Sequence, residues 1–471
     1  MNENNELSFL KKITDIRPST RQLAWQEMEF YGFIHYGINS FMNQEWGSGK
    51  EDPQIFNPKN LDTDAWCESL VKAGMKGVII TAKHHDGFCL WDTSYTNHSV
   101  MYTPYGKDIV ADLSNSCQRF GLKMGIYLSP WDRHAPCYGQ GRAYDDFFCN
   151  QLTELLQGYG ELFCLWFDGA CGEGPNGKTQ VYDWERYYAL IRKHQPEAVI
   201  SVCGPDVRWC GNEGGYCRNS EWSVVSAMMA DNEKIQHQSQ QVDDAQFRKR
   251  IPSDSEDLGS RQILADYDEF IWYPAEVNTS IRSGWFYHEA EDSQIRSLEN
   301  LKSIYLQSVG QNATFLLNIP PHYDGYIVAG DVTRLEELGD WIKTSFSKNL
   351  LVHATYQASS EEIGKEASNI NQKDAFWKSV ETEVRPVVIV ETKNEVKPKY
   401  LMLQEEITFG QRIEEFTFSY LKKEKWIVAC QGTVVGYKRI CQIEDHISSN
   451  KWKLEISSCR LGATLKTFKL Y

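Results

Sequence analysis

The stretch DTDAWCESLVKAGMKGVIITAKHH, residues 62–85, contains an amphipathic segment followed directly by a buried one. Apolar residues at helical spacing fill its first part, and Gly74 suits the left-handed position that commonly follows a helix. The next run, GVIITA, is apolar without alternation, as expected for a parallel strand covered on both faces. Four ionisable residues, Lys83 to Asp86, then follow, so the sequence places polar chemistry at the end of a buried strand.

The same order of helix and strand recurs through the first part of the chain. The helix stop is a glycine in two of the further units and a proline in the third. The units are residues 108–132 with Gly121, residues 148–169 with Gly158, and residues 183–204 with Pro196.

Three further apolar runs complete the set of predicted strands. FYGFIHYG (30–37) precedes the repeated units, and DEFIWYP (268–274) and NATFLLNIPP (312–321) follow them. Because no GxGxxG turn opens the series, the alternation favours an α/β fold of the (β/α)8, TIM-like barrel type over an open doubly wound sheet.

The pattern changes after residue 348. Short segments with alternating apolar residues, such as KYLMLQEEI (399–407) and EEFTFSYL (414–421), replace the helical periodicity. We therefore predict a barrel domain over residues 1–348 and an all-β domain, a β-sandwich, over residues 349–471. The absence of a Gly/Ser-rich linker indicates that the two domains pack together.

Composition excludes several classes of protein. The net charge of −15 argues against nucleic acid or an anionic membrane as a partner, because both require a basic surface. The apolar runs are far shorter than the roughly 20 residues that span a bilayer. No signal peptide is recognisable, which predicts a cytoplasmic protein unless a leader was removed, and the 13 cysteines without regular pairing predict free thiols. The sequence does not indicate an oligomeric state.

Two carboxylates are candidates for catalysis. Asp168 ends the strand LWFD and precedes a glycine, and Glu213 lies in the glycine-rich stretch that follows the fifth predicted strand. In barrels of this type the reacting groups lie at the C-terminal ends of the strands. A pair of carboxylates about 5 to 5.5 Å apart would suit a retaining glycosidase. The alternatives are an Asp that caps a turn and an exposed loop Glu.

Other residues near the predicted strand ends fit carbohydrate recognition. Tryptophans such as Trp46, Trp131 and Trp285 offer flat aromatic faces for a sugar ring, although some will be packing residues. The rival interpretation is a metal-dependent hydrolase, in which His35, His84 and His85 bind zinc. A sugar-binding protein without activity is a third hypothesis.

The motifs FIHYG, EWGS, KHHDGFCLWDT, GIYLSPWDRH, LWFDG and GPDVRWCGNEGG, in this order, resemble glycoside hydrolase family 29, the α-L-fucosidases. The resemblance implies a barrel with a C-terminal β-sandwich, no metal or other cofactor, and a fucosylated oligosaccharide as substrate. It implies that Asp168 is the nucleophile and Glu213 the acid/base, with Glu221 as second choice for the acid/base.

The resemblance also implies a set of substrate contacts and a specificity. The segments SPWDRH, GNEGG and EWSV resemble the subfamily that cleaves α-1,3 and α-1,4 fucosyl branches, so an exo-acting, retaining enzyme of that type is expected. Lys83 and Asp86 are expected to support the neighbouring histidines. The residues expected to bind substrate are His35, Glu45, Trp46, His84, His85, Tyr127, Trp131, Asp132, Trp222 and Trp285.

Overall fold

The computed structural model describes residues 3–239 and 256–471 of the chain. In its first part, eight parallel strands form one sheet in the order β5-β4-β3-β2-β1-β10-β9-β6, and this sheet curves into a nearly closed, TIM-like barrel. The strands of this part are β1 (Phe30–Ile34), β2 (Gly77–Lys83), β3 (Lys123–Leu128), β4 (Leu162–Phe167), β5 (Val199–Val202), β6 (Arg208–Trp209), β7 (Val224–Ser226), β8 (Phe270–Trp272), β9 (Ala275–Ser280) and β10 (Ala313–Asn318).

Alternate residues of the barrel strands face two different cores. On β1, Tyr31 and Phe33 pack inside the barrel, where they meet Trp166 of β4. Phe30 and Ile34 of the same strand point outward and join the core formed with the surrounding helices. Each strand is therefore covered on both faces, which explains why the strands are apolar without alternation. A single parallel bridge between residues 201 and 207 links the two ends of the sheet.

The surrounding helices begin with the caps that the sequence favours. The side chains of Asp62, Asp108 and Asp183 accept hydrogen bonds from backbone amides in the first turn of their helices. The helices are α1 (Glu3–Thr14), α2 (Thr20–Gln26), α3 (Ile38–Met42), α4 (Thr63–Lys72), α5 (Ile109–Phe120), α6 (Arg142–Gly158), α7 (Trp184–His194), α8 (Asn232–Ser239), α9 (Arg261–Leu264), α10 (Leu298–Ser308) and α11 (Ala329–Phe346).

The predicted helix stops are partly correct. Gly74 and Gly121 have φ angles of +81° and +68°, as expected for left-handed residues after a helix, and α7 ends two residues before Pro196. The prediction for Gly158 is wrong, because that residue is the last helical one of α6 and the left-handed glycine is Gly160, with φ +79°.

One predicted barrel strand is also wrong. The run DEFIWYP contains β8, which pairs antiparallel with β7 outside the barrel. The barrel uses β9 and the two-residue β6 instead. Strand β9 cannot be recognised as an apolar run in the sequence, because several of its buried residues are polar, among them Glu276 and Asn278.

Glu276 illustrates how a polar residue is accommodated inside the barrel. Its carboxylate accepts hydrogen bonds from Trp166 Nε1 at 2.7 Å and from Tyr31 Oη at 2.5 Å. Burial raises the pKa of Glu276 to about 7, and the two hydrogen bonds oppose that rise. The Trp166 ring in turn stacks on Tyr127, with 5.3 Å between ring centroids. The core of the barrel thus supports a residue that lies at its catalytic end.

The C-terminal part consists of antiparallel sheets, consistent with a β-sandwich. A five-stranded sheet (β11-β13-β18-β15-β16) and a three-stranded sheet (β17-β14-β20) enclose one apolar core, and β12 pairs with β19. The strands are β11 (Thr355–Ala358), β12 (Trp377–Lys378), β13 (Val387–Val396), β14 (Tyr400–Gln404), β15 (Ile413–Lys422), β16 (Lys425–Gly432), β17 (Arg439–Gln442), β18 (Ser449–Cys459), β19 (Thr464–Leu465) and β20 (Thr467–Leu470).

Polar and aromatic contacts join the two parts of the molecule. The Asn312 amide donates to the carbonyl of Lys438 at 2.9 Å, and the Arg460 guanidinium lies 3.9 Å from the centre of the Trp222 ring. The predicted domain boundary after residue 348 falls between α11 and β11 and stays a prediction. Among the described helices, none combines the length and the apolar character needed to cross a bilayer.

Candidate active site

Asp168 lies directly after β4, at the C-terminal end of the barrel. Tyr127 Oη donates to its Oδ2 at 2.9 Å, and the backbone amide of Ala170 donates to its Oδ1 at 2.9 Å. His85 Nε2 lies 3.8 Å from Oδ2. The side chain remains 23% exposed, so both carboxylate oxygens are oriented by donors while the group still faces solvent. This arrangement suits a carboxylate that attacks a bound ligand.

The hydrogen bonds of His85 define its tautomer. Ser129 Oγ donates to the carbonyl of Trp131 at 2.7 Å, so the Oγ lone pairs accept the proton on His85 Nδ1, also at 2.7 Å. In the neutral ring, Nε2 is then left as an acceptor on the side that faces Asp168.

His35 has the same arrangement at the neighbouring strand. Asn318 directs its amide nitrogen to the carbonyl of Trp285 at 2.8 Å, which turns its Oδ1 toward His35. His35 Nδ1 donates to that oxygen at 2.8 Å, so Nε2 of the neutral ring is again an acceptor. Two imidazoles thus present the same atom to a ligand.

The three predicted histidines are uncharged at neutral pH. Burial lowers the pKa of His35 to about 3 and that of His85 to about 4, and it lowers the pKa of His84 well below its ordinary value. Neighbouring imidazoles add to the effect for His35 and His84. Neutral imidazoles exchange hydrogen bonds with hydroxyl groups without adding charge, which fits a polyhydroxylated ligand.

Trp46 and Trp131 form an aromatic corner above His85. The two indole rings are perpendicular, with centroids 5.6 Å apart, and each also contacts the imidazole of His85. Trp46 is 46% exposed, whereas Trp131 is almost buried. An exposed aromatic face next to a group of hydrogen-bonding residues is the usual platform for a sugar ring.

Glu213 lies on the segment that follows β6, and residues from β9 and the loop after it hold this segment. Trp285 Nε1 lies 3.3 Å from Glu213 Oε2, and Thr279 Oγ1 donates to the Glu213 carbonyl at 2.7 Å. Glu45, from the loop after β1, accepts hydrogen bonds from the backbone amides of Trp285 and Phe286 at 2.9 and 3.2 Å.

A continuous run of side-chain contacts joins the two candidate catalytic carboxylates. Asp168 contacts His85 at one end of the run, and Trp285 contacts Glu213 at the other. Between them the ring centroids are 4.1 Å apart for His85 and His84, 5.9 Å for His84 and His35, and 5.1 Å for His35 and Trp285. The structure therefore places Asp168 and Glu213 on one wall of polar and aromatic rings, to which Tyr127 and Trp46 also belong.

Asp132 lies beneath this wall and not on it. Its carboxylate is 1% exposed and accepts hydrogen bonds from Lys83 Nζ at 2.9 Å and from the amides of His134 and Ala135. The lysine and these amides hold the pKa of Asp132 below its ordinary value in spite of burial. Burial and these partners do not favour a substrate contact for Asp132, which stays a prediction. Lys83 Nζ donates to Asp132 and Gln151, so the predicted support of the neighbouring histidines by Lys83 stays a prediction.

Trp222 is also displaced from the predicted site. It is 3% exposed and packs with residues of both domains, under the guanidinium of Arg460. A cation over an indole face inside a protein is a favourable packing contact. This packing places Trp222 in the contact between the barrel and the β-sandwich and does not favour the substrate contact, which stays a prediction.

Glu221, the second choice for the acid/base, cannot hold a proton as a general acid must. It is fully buried and forms ion pairs with Arg208 and Arg218, which lower its pKa against the opposing effect of burial. Its carboxylate is thus a structural anion.

Several residues of the site were not singled out from the sequence. Ser129 and Asn318 fix the tautomers of His85 and His35, and His288 contacts Glu45. Asn318 is the last residue of β10, so the strand-end rule that indicated Asp168 would have indicated it too. Ser129 directly follows β3, as Asp168 follows β4, so the same rule would have indicated it as well. No comparable local signal marks His288.

The structure does not favour the metal-dependent alternative. In the described ranges, no three His, Cys, Asp or Glu side chains lie together in a way that would hold a metal ion. One nitrogen of His35 and one of His85 are already committed to Asn318 and Ser129.

Comparison with known proteins agrees with the geometry. The alpha-L-fucosidase family model matches residues 2–345. The chain is 37% identical to "Alpha-L-fucosidase 1" of Arabidopsis thaliana over 467 residues, 96% of this chain and 87% of that protein.

Solved structures add the fold. A glycoside hydrolase 29 family member from an unknown rumen bacterium is 33% identical, with a TM-score of 0.80 over 97% of this chain and 77% of that one. A Ruminococcus gnavus GH29 fucosidase in complex with fucose is 28% identical, with a TM-score of 0.83 over 97% of this chain and 95% of that one. The chain therefore belongs to the α-L-fucosidases of glycoside hydrolase family 29, and it is a glycoside hydrolase with a TIM-like catalytic barrel.

Proposed function

We propose that the protein is an exo-acting, retaining α-L-fucosidase that releases terminal α-1,3- or α-1,4-linked fucose from oligosaccharides. One observation carries the proposal: Asp168, oriented by Tyr127 and Ala170, shares a wall of neutral histidines and tryptophans with Glu213. Retaining hydrolysis requires a carboxylate nucleophile and a second carboxyl group that flank the glycosidic bond.

In the first step, an Asp168 oxygen attacks the anomeric carbon of fucose as the glycosidic bond breaks. Glu213 gives its proton to the departing oxygen, so the leaving sugar departs as a neutral alcohol. A covalent fucosyl ester of Asp168 remains. Tyr127 and the Ala170 amide both donate to the Asp168 carboxylate, so they keep it oriented for attack.

In the second step, Glu213 acts as a base. It takes a proton from a water molecule, the resulting oxygen bonds to the anomeric carbon, and the bond to Asp168 breaks. Two displacements at the same carbon return the original configuration. The enzyme is then restored, with Asp168 ionised and Glu213 protonated.

The wall also supports the choice of substrate. His35 and His85 present Nε2 acceptors to sugar hydroxyls, and an acceptor that is left unpaired disfavours a ligand without the matching hydroxyl. The exposed face of Trp46, next to Trp131, offers a platform for the sugar that carries the fucose. The preference for 1,3/1,4 branches is supported by the SPWDRH segment, which contains Trp131. The EWSV segment supports it less, because Trp222 is buried elsewhere.

The test compares two kinds of substrate. The protein is incubated with a Lewis-type trisaccharide, which carries a branched fucose, and with a 2-fucosyl disaccharide. The initial product is followed by proton NMR. We expect faster release from the trisaccharide and α-L-fucose as the first product. Equal or reversed rates would remove the linkage preference, and β-L-fucose as the first product would remove the retaining mechanism.

A further inference from the structure

His288 links two loops at the edge of the active site. Its Nδ1 lies 2.6 Å from Asn43 Oδ1, and its Nε2 lies 2.6 Å from Glu45 Oε1. Asn43 and Glu45 belong to the loop that follows α3, whereas His288 belongs to the loop after β9 that also carries Trp285. The imidazole therefore bridges a loop that bears predicted substrate contacts to the loop that reaches Glu213.

The contacts of His288 require a proton on both ring nitrogens. Each nitrogen faces an oxygen that accepts, so the ring that satisfies both is the imidazolium. The hydrogen bond that His288 donates to Glu45 raises the pKa of His288, burial opposes the rise, and the charges of Glu45 and Glu291 add to it. The pKa of this histidine is thus shifted in the opposite direction to the pKa values of His35 and His85, which burial lowers.

Glu45 connects His288 to the residues of the active-site wall. Besides His288, its two oxygens accept the backbone amides of Trp285 and Phe286. The approach is close, since a Cβ on Gly284 would lie 2.5 Å from Glu45 Oε1. The amide of Trp285 thereby has a fixed position, and its indole contacts both His35 and Glu213.

We propose that His288 is a positioning residue, which holds the Glu45 carboxylate against the 285–286 backbone and so sets the Trp285 indole against Glu213. The part that concerns Glu213 rests on the proposed function, in which Glu213 is the acid/base. The part that concerns Glu45 and Trp285 rests on the hydrogen bonds alone. His288 itself need not touch the reacting atoms, because its effect passes through Glu45.

The experiment is a double-mutant cycle on the full chain with His288→Gln, Glu45→Gln and the double variant. Each protein is assayed with an aryl fucoside that has a nitrophenol leaving group and with a fucosylated oligosaccharide. The inhibition constant of free fucose is measured as well. His322→Gln is the matched control, because the His322 ring packs on Tyr287 at 4.9 Å without contacting Glu45.

We expect His288→Gln to lower kcat/KM on the oligosaccharide by about tenfold or more, since small displacements near reacting groups have effects of that size. The aryl fucoside should lose less, because its leaving group needs little acid assistance. The double variant should lose no more than about twice what Glu45→Gln loses, because both changes break one path. His322→Gln should retain wild-type kinetics.

Two outcomes would overturn the proposal: losses that multiply in the double variant, or a His288→Gln protein that is less thermostable but kinetically unchanged. If His288→Gln does not fold, Asn43→Gly removes the Nδ1 acceptor while tolerating the left-handed backbone of residue 43, which has φ +53°. It should show a smaller loss in the same direction, and unchanged kinetics would count against the proposal.

The fucose inhibition constant does not depend on proton transfer. Coupling seen there without any leaving-group dependence would therefore retain the Glu45 contact and reject the acid role of Glu213.

Discussion

The two halves of the active site are built differently. Asp168 and its partners Tyr127 and His85 all come from the ends of the adjacent strands β2, β3 and β4, and the strand register brings them together. Glu213 lies on a long segment after β6, and its position depends on Trp285 and Thr279, 72 and 66 residues further along the chain. The position of Asp168, the proposed nucleophile, is thus fixed by the barrel, whereas the position of Glu213, the proposed acid, is fixed by contacts between loops.

This difference explains which substitutions should be tolerated. A residue at the end of a buried strand keeps its place as long as the sheet forms, so changing its chemistry should affect turnover alone. A residue on a loop depends on its neighbours, so changing those neighbours should affect catalysis as well. The predictions below test this contrast, from the largest expected effect to the smallest.

Replacing the nucleophile should have the largest effect. Asp168→Ala removes the attacking oxygen, so kcat should fall at least about a thousandfold on every substrate, while the unfolding temperature stays close to that of the wild type. Steady-state kinetics and a thermal melt measure the two quantities. Asp183→Asn, which alters only a helix cap, serves as the control. Activity within about tenfold of wild type would exclude Asp168 as the nucleophile.

Replacing the acid should have an effect that depends on the substrate. Glu213→Gln cannot protonate the departing oxygen, so release from an oligosaccharide should fall about a hundredfold, as is typical for loss of general acid catalysis. A nitrophenyl fucoside should lose far less, because nitrophenolate leaves without a proton. Comparing kcat/KM for the two substrates measures the difference. Equal losses on the two substrates would mean that another group is the acid. The control is Glu299→Gln, which changes an exposed residue on α10.

Substitutions of two tryptophans distinguish a residue that supports the active-site loops from a residue that packs between the domains. Trp285→Phe removes the indole N–H that faces Glu213, and we expect a loss of about tenfold in kcat/KM on an oligosaccharide. Trp222→Phe should leave KM within about twofold but lower the unfolding temperature by several degrees, because it weakens the contact with Arg460. Kinetics and calorimetry on both variants would show the contrast. A kinetic defect in Trp222→Phe would return that residue to the substrate site.

The last prediction concerns the pH dependence of stability, where no change in turnover is expected. The pKa of Glu276 is about 7 in the folded protein against an ordinary 4.5, so the unfolded chain loses this proton first as the pH rises. The contribution of Glu276 to the free energy of unfolding is therefore present below about pH 4.5 and is lost by about pH 7. The free energy of unfolding falls by on the order of 3 kcal/mol over this range.

Glu276→Gln should not show that loss. Its unfolding temperature relative to wild type should rise between about pH 5 and pH 7, whereas a constant difference would contradict the shifted pKa. The buried histidines titrate alike in both proteins, so their opposite contribution cancels in the comparison.

Much of the fold could be predicted from the sequence, and the failures share a cause. The helix-and-strand units up to β5, the strand β10 and the β-rich C-terminal part follow from periodicity and from glycine and proline positions. Strand β9 does not, because it buries Glu276 and Asn278, whose hydrogen-bond partners come from other strands. A hydrophobic pattern cannot show that a polar residue will be satisfied inside a core.

The site divides in the same way. The strand-end position predicted Asp168, His84, His85, His35 and Tyr127, all of which lie on the catalytic wall. The resemblance to the family also implied that Asp132 binds substrate, but Asp132 is buried and bound by Lys83. The roles of Asp168 and Glu213, the specificity and the cytoplasmic location stay predictions.

The sequence by itself determined which residues end the barrel strands β1 to β5 and β10, because strand length, helix stops and motif order are local properties of the chain. Only the tertiary structure decided which of the polar and aromatic residues face the ligand. Asp132 is hydrogen-bonded to Lys83, Trp222 packs against Arg460, and Glu45 is hydrogen-bonded to His288. The physical reason is that a buried charge or a large ring is stable only beside a suitable partner, and those partners lie far away in the sequence.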